Sequence, residues 1–145
     1  MLLPDTPSVE QLSQVIVQVT APSFILGAVA GFVSLLISRM NRVTDRIQAL
    51  DALPNGDGAK TRLKRDMPRL RRRAHLLNRA ILFSGISAIL TCLLVIVAFI
   101  SAYYQVRHEY GVALLFVVAL SFFTAALINL VRETSISVHE YDPDS

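Results

Sequence analysis

At 145 residues the chain has room for one domain, and with 53% hydrophobic residues and a mean hydropathy of +0.51 it is too apolar for a small soluble protein. Its net charge of +3 hides a division: twelve of the fourteen basic residues lie between Arg39 and Arg79, whereas 11–38, 80–106 and 110–131 carry no charge at all. Cys92 is the single cysteine, which excludes a disulfide framework or a multi-cysteine metal site within one chain, and the basic block carries no reader motif that would point to nucleic acid.

A transmembrane helix needs roughly 20 mostly apolar residues, and an Arg or Asp at the centre of a span costs about 2.5–3.5 kcal/mol on insertion scales. Each charge-free run meets both conditions. The expected fold is therefore an all-α integral membrane protein, one membrane domain over residues 1–145. It has three transmembrane helices, an N-terminal amphipathic helix and a cytoplasmic antiparallel helical hairpin. Basic loops stay on the cytoplasmic side, so residues 40–79 face the cytoplasm, the N-terminus lies outside and the C-terminus inside.

The N-terminus does not read as a cleavable signal: it lacks a positive start, and Pro4, Asp5 and Glu10 interrupt it. Over residues 7–20, Ser8, Gln11, Gln14 and Gln18 mark one helical face and Val9, Leu12, Ile16 and Val19 another. Pro22 lacks an N–H and would start or kink the helix of the first span. Two placements remain open. The segment either lies on the outer surface or continues the first span, with Glu10, Gln14 and Gln18 lining an outer mouth.

In the first span, 22–39, Gly27, Gly31, Ser34 and Ser38 share a face that Asn41 extends. Small faces let backbones approach closely, so the stripe is either a helix-packing face or the lining of a narrow pore. Leu26, Val29, Val33 and Leu36 form a second face, continuous with Met40, Val43, Ile47 and Leu50. That seam is matched by Met67, Leu70, Ala74, Leu77 and Ile81 across the turn signal Pro54-Asn55-Gly56-Asp57-Gly58. The predicted hairpin reaches roughly 20 Å beyond the membrane at 1.5 Å per residue, with Asp66 capping its second arm and Pro68 tolerated in the first turn. Arg69, Arg71, Arg72 and Arg73 suit anionic lipid headgroups or an electropositive vestibule. Arg39 and Arg79 are expected to snorkel at the interface.

The second span, 80–102, aligns Ser84, Ala88 and Thr91. Tyr103, Tyr104 and Tyr110 then sit where an aromatic belt belongs. The third span, 111–131, carries Ser121, Ala125 and Asn129 at steps of four. Asn129 is a candidate intramembrane polar link, or reaches interfacial water. Arg132 marks the exit, and 134–145 reads as a short mobile tail.

Enzyme chemistry finds no support. There is no Gly-rich phosphate loop, no paired carboxylates within the spans, and His108-Glu109 and His139-Glu140 are neighbours that do not share a helix face. No catalytic, cofactor or metal residue is expected. The predicted spans also lack the ionisable group that proton-coupled transport needs, which leaves a passive pathway for inorganic ions open.

The run Ile37-Ser38-Arg39-Met40-Asn41-Arg42-Val43-Thr44-Asp45-Arg46, paired with Leu70-Arg71-Arg72-Arg73-Ala74-His75-Leu76-Leu77-Asn78-Arg79-Ala80-Ile81, resembles the small bacterial membrane proteins catalogued as domain of unknown function 2721. The resemblance covers about residues 9–133, with Asp45-Arg46 and Leu77-Asn78-Arg79-Ala80-Ile81 its most specific elements. It implies a bacterial inner-membrane location and brings no catalytic residues. Arg42, Asp45, Arg46, Asn78 and Arg79 are expected to form an inner polar cluster that fixes the hairpin register or serves as an inner gate.

Small faces and the modest surface of three spans point to self-association, usually closed by rotation. The leading expectation is a homo-oligomeric passive ion channel with the first span nearest the pore. The alternative is a non-conducting scaffold whose basic hairpin binds anionic lipid or a protein partner.

Overall fold

A computed structural model describes residues 8–54, 58, 61, 64–104 and 109–139. Three long helices account for nearly all of them: α1 (Val9–Asp51), α2 (Met67–Tyr104) and α3 (Glu109–His139). Among the described residues there is no strand. Each helix is long and apolar enough to cross a membrane.

The start of α1 is set by a reciprocal cap. The Ser8 N–H donates to Gln11 Oε1 at 3.1 Å and the Gln11 N–H donates to Ser8 Oγ at 3.3 Å, which satisfies two backbone donors that a helix terminus leaves unpaired. From there α1 runs unbroken through Pro22. Residues 9–20, the first span and the first arm are thus one helix, without the boundary expected at Pro22. Proline withholds one N–H from the carbonyl four residues back, but membrane helices tolerate this where side chains support the backbone. Hydroxyl groups bond the carbonyls on either side: Thr20 Oγ1 to Ile16 at 2.8 Å and Ser23 Oγ to Val19 at 2.7 Å. The helix ends where the Ala52 N–H bonds the Gln48 carbonyl and Pro54 follows.

The Asp66 carbonyl accepts the Leu70 N–H at 3.0 Å, the role of an N-cap backbone, and α2 then joins the second arm to the second span without a break. The turn expected at 54–58 falls partly outside the described residues. Helix α3 does not stop at the last apolar residue. It continues to His139, so the tail expected from 134 is helical for its first turns. A charge-free run measures how long a segment is apolar, not how long its backbone stays helical, and Glu133, directly after Arg132, is buried.

The chain divides into two compact units. The first takes in the described residues up to Gly31 together with Ser84–Phe123. Its interior is small and hydroxylic: Val15, Val19 and Val29 from α1, Ser84, Ser87, Thr91 and Leu94 from α2, and Ala119 from α3. The second takes in Phe32–Phe83 and the described residues from Thr124 onward. Its core is Leu36, Val43, Leu70, Leu77 and Ala80, with Met40, Ile47, Ala74, Ile81 and Leu130 packed against it. Burial steps of three, four and seven in both units are the spacing of knobs-into-holes packing.

The outward surface of the helices is apolar. Leu82, Ile89, Ile96, Leu114, Val117 and Val131 are each more than half exposed, while buried positions include serine, threonine, asparagine and glutamate. That inversion suits a hydrocarbon solvent. Only 17%, 28% and 11% of the most apolar windows of α1, α2 and α3 are buried, so lipid or further copies must cover the rest.

Candidate functional site

The most unusual chemistry lies in the second unit. Glu133 of α3 is fully buried, with its carboxylate between two arginines. Arg73 of α2 donates from Nε to Oε1 at 2.9 Å, and its Nη2 lies 2.9 Å from the same oxygen as an ion pair. Arg39 of α1 donates to Oε2, and its Nη1 also reaches Thr134 Oγ1 at 2.7 Å. Each carboxylate oxygen therefore serves a different helix, and one side chain ties all three together. A buried carboxylate is tolerated only when paired and hydrogen-bonded, and charge-assisted bonds to guanidinium are among the stronger ones available. Side-chain exposure falls from 34% at Arg39 to 14% at Arg73 and 0% at Glu133. The cluster carries two positive charges against one negative.

Arg39 and Arg73 thus do something other than expected. Arg39 is pinned rather than free to snorkel, and Arg73 leaves the basic run to face inward. Arg69, Arg71 and Arg72 remain exposed. Glu133 itself was not a candidate from sequence. Its signal was the spacing Ala119, Ala126, Glu133, which repeats every seven residues along one buried face.

The second feature is the outward face of α1. Gly27, Gly31, Ser34, Ser38 and Asn41 are all exposed, and no atom lies within 4 Å of where a Cβ on Gly27 or Gly31 would sit. The buried row Val15, Pro22, Val29, Leu36, Val43 and the outward row Ser13, Thr20, Gly27, Ser34, Asn41 each step by seven. They are offset by two residues, about 200° around a helix, so they occupy opposite sides of α1. The small and hydroxylic stripe therefore extends outward through Thr20 and Ser13. Glu10, Gln14 and Gln18 are exposed too, but Gln18 and Gly27 lie about 180° apart on a continuous helix, so these three do not prolong the stripe.

The remaining candidates are not brought together. Arg42, Asp45, Asn78 and Arg79 are exposed, and no hydrogen bond or ion pair joins them among the described residues. Arg46 is likewise exposed. The reason is helix rotation: burying Val43 and Ile47 on α1, and Leu77 and Ala80 on α2, turns their polar neighbours outward. Asn129 is buried, but its Nδ2 donates to the Ala125 carbonyl at 2.8 Å on its own helix, and among the described residues it makes no interhelical link. In the first unit that link is Ser87 Oγ to the Ala119 carbonyl at 2.8 Å. Among the described residues no group of three His, Cys, Asp or Glu side chains could hold a metal ion.

Three apolar helices with outward hydrocarbon surfaces and a polar interior define a helical membrane protein. A family model described as "Protein of unknown function (DUF2721)" matches residues 19–142. The chain belongs to that family. No curated protein and no solved structure matches it.

Proposed function

We propose that this protein is a homo-oligomer in a bacterial inner membrane, with α1 of each copy nearest the symmetry axis and its outward stripe lining a passive pathway for inorganic ions. The observation that carries this reading is the unpartnered row Ser13, Thr20, Gly27, Ser34 and Asn41, on the side of α1 opposite its buried seam. Small and hydroxyl side chains make poor lipid contacts and good close helix contacts or water contacts. The basic residues of 39–79 support a cytoplasmic position for that end, with the N-terminus outside. The Arg39–Glu133–Arg73 cluster would hold the three helices of each copy as one body at the inner end.

Reconstitution of the purified chain into liposomes tests conduction. Ion flux that falls when Ser34 is replaced by a bulky residue supports the pathway. Absence of flux across salts, pH and membrane tension removes it. A second reading, a non-conducting scaffold, is favoured by a separate observation: Arg69, Arg71 and Arg72 stay exposed beside a hairpin core, available to anionic lipid or an acidic protein surface. It gains support if a stoichiometric partner is captured from membranes and lost on replacing these arginines.

A further inference from the structure

Arg69, Arg72 and Arg79 succeed one another along α2 at steps of three and seven, on one face of the helix, and Arg65 stands just before its start. All four are exposed, and none engages in a hydrogen bond or ion pair among the described residues. Their neighbour Arg73 turns the other way and is held by Glu133, which fixes both the rotation of α2 and the level at which its arginines stand. Arg79 lies six residues further along α2 toward the apolar span, about 9 Å at 1.5 Å per residue. One turn beyond it, Leu82 is 57% exposed. A cation therefore stands unpaired on the outer surface of α2, at the border of its hydrocarbon-facing side, with more cations in line behind it on the aqueous side.

We infer that Arg72 and Arg79 hold the phosphate of an anionic phospholipid on the outward face of α2, its acyl chains running along Leu82. Arg69 and Arg65 continue the row into the field of the charged leaflet. Guanidinium meets phosphate with paired, directional N–H donors. The headgroup layer is roughly 5–8 Å deep on each side of the hydrocarbon, so the approximately 10 Å between Arg72 and Arg79 spans it. One feature favours lipid over soluble phosphate or an acidic protein: the row abuts exposed apolar surface on the same helix, where Leu82 and Ile86 follow Arg79 at steps of three and four. This inference rests on the membrane-spanning reading and not on conduction.

The test uses the full-length protein, delipidated in mild detergent and titrated with mixed micelles of phosphatidylglycerol or phosphatidylcholine, with bound lipid counted by mass spectrometry. Phosphatidylglycerol should be retained in preference, and inorganic phosphate should not displace it. R72Q/R79Q should weaken retention about fivefold per arginine, and R72K/R79K, which keeps the charge but not the paired donors, should fall between that variant and wild type. Equal retention of the two lipids, displacement by inorganic phosphate, or an unchanged R72Q/R79Q would each overturn the assignment. Should the double variant fail to insert, wild-type protein at rising salt decides: the preference should collapse, and its persistence would count against a phosphate site. Extraction of the protein by alkaline carbonate would instead defeat the membrane reading itself. A protein that passes no ions yet keeps phosphatidylglycerol leaves this site standing and removes only the channel.

Discussion

The two units bury polar groups in different ways. In the first, the buried polar groups are hydroxyls. Ser87 donates to the Ala119 carbonyl across helices, and Thr91 donates back to the Ser87 carbonyl at 2.8 Å on its own. In the second, they are the Asn129 amide, which bonds back to its own helix, and a carboxylate with two arginines around it. Neutral hydroxyls satisfied by backbone carbonyls need no counter-charge and suit membrane depth. An ionised cluster suits the end where the basic residues gather and water is near. The contrast also divides the labour of packing: small hydroxylic residues let helices approach closely, and a triad of long side chains fixes their register.

The largest expected effect comes from breaking the charged side of this contrast. Glu133→Ala strands two arginines around an empty site and should cost about 3–5 kcal/mol, the usual penalty for breaking a buried pair, read as a lower unfolding midpoint in detergent. Glu133→Gln should be nearly as damaging, because an amide accepts at only one of its two terminal atoms and presents N–H donors to an arginine at the other. Next comes Arg73→Ala, which should destabilise more than Arg39→Ala. Arg73 is the more buried partner and sets Nε and Nη2 against one carboxylate oxygen, whereas Arg39 is a third exposed. A double-mutant cycle of Arg73 with Glu133 should show clear coupling.

The hydroxyl side should respond weakly. Ser87→Ala removes one interhelical bond and should cost about 0.6 kcal/mol, the average for such bonds in a membrane. Thr91→Val should cost less still, since its hydroxyl bonds only its own helix. A Ser87→Ala penalty matching that of Glu133→Ala would erase the distinction between the units. At the smallest end, Arg69→Gln and Arg71→Gln on the exposed face should leave the unfolding midpoint within about 0.5 kcal/mol of wild type.

Much of the fold was legible because hydrocarbon imposes a simple rule. Charge-free runs marked the three spans, and the seams Met40–Leu50 and Met67–Ile81 foretold the core around Leu36, Val43, Leu70 and Leu77. The reciprocal cap of Ser8 and Gln11 was not read from the sequence, where both residues counted only toward one polar helical face. Side-chain partners were harder. Span ends drawn where charge begins stopped at Val131 and hid Glu133, although the helix and its buried face continue past that point. Of the expected inner cluster, Arg42, Asp45, Asn78 and Arg79 are not joined to one another among the described residues, because packing, not charge, sets how each helix is turned. Asn129 satisfied itself on the Ala125 carbonyl, an option that composition cannot reveal. The N-terminal extension of the α1 stripe through Thr20 and Ser13 depended on knowing that α1 passes Pro22 as one helix.

We propose two working sides for α1, a buried seam toward its own chain and a small-residue stripe that would meet another copy. Single cysteines placed in a Cys92→Ser background test this most directly in native membranes under mild oxidation. Ser34→Cys on the stripe should give a disulfide-linked dimer, and Leu82→Cys on the outward face of α2 should remain monomeric. Cross-linking through Leu82→Cys with none through Ser34→Cys would contradict the account and move the contact between copies to α2.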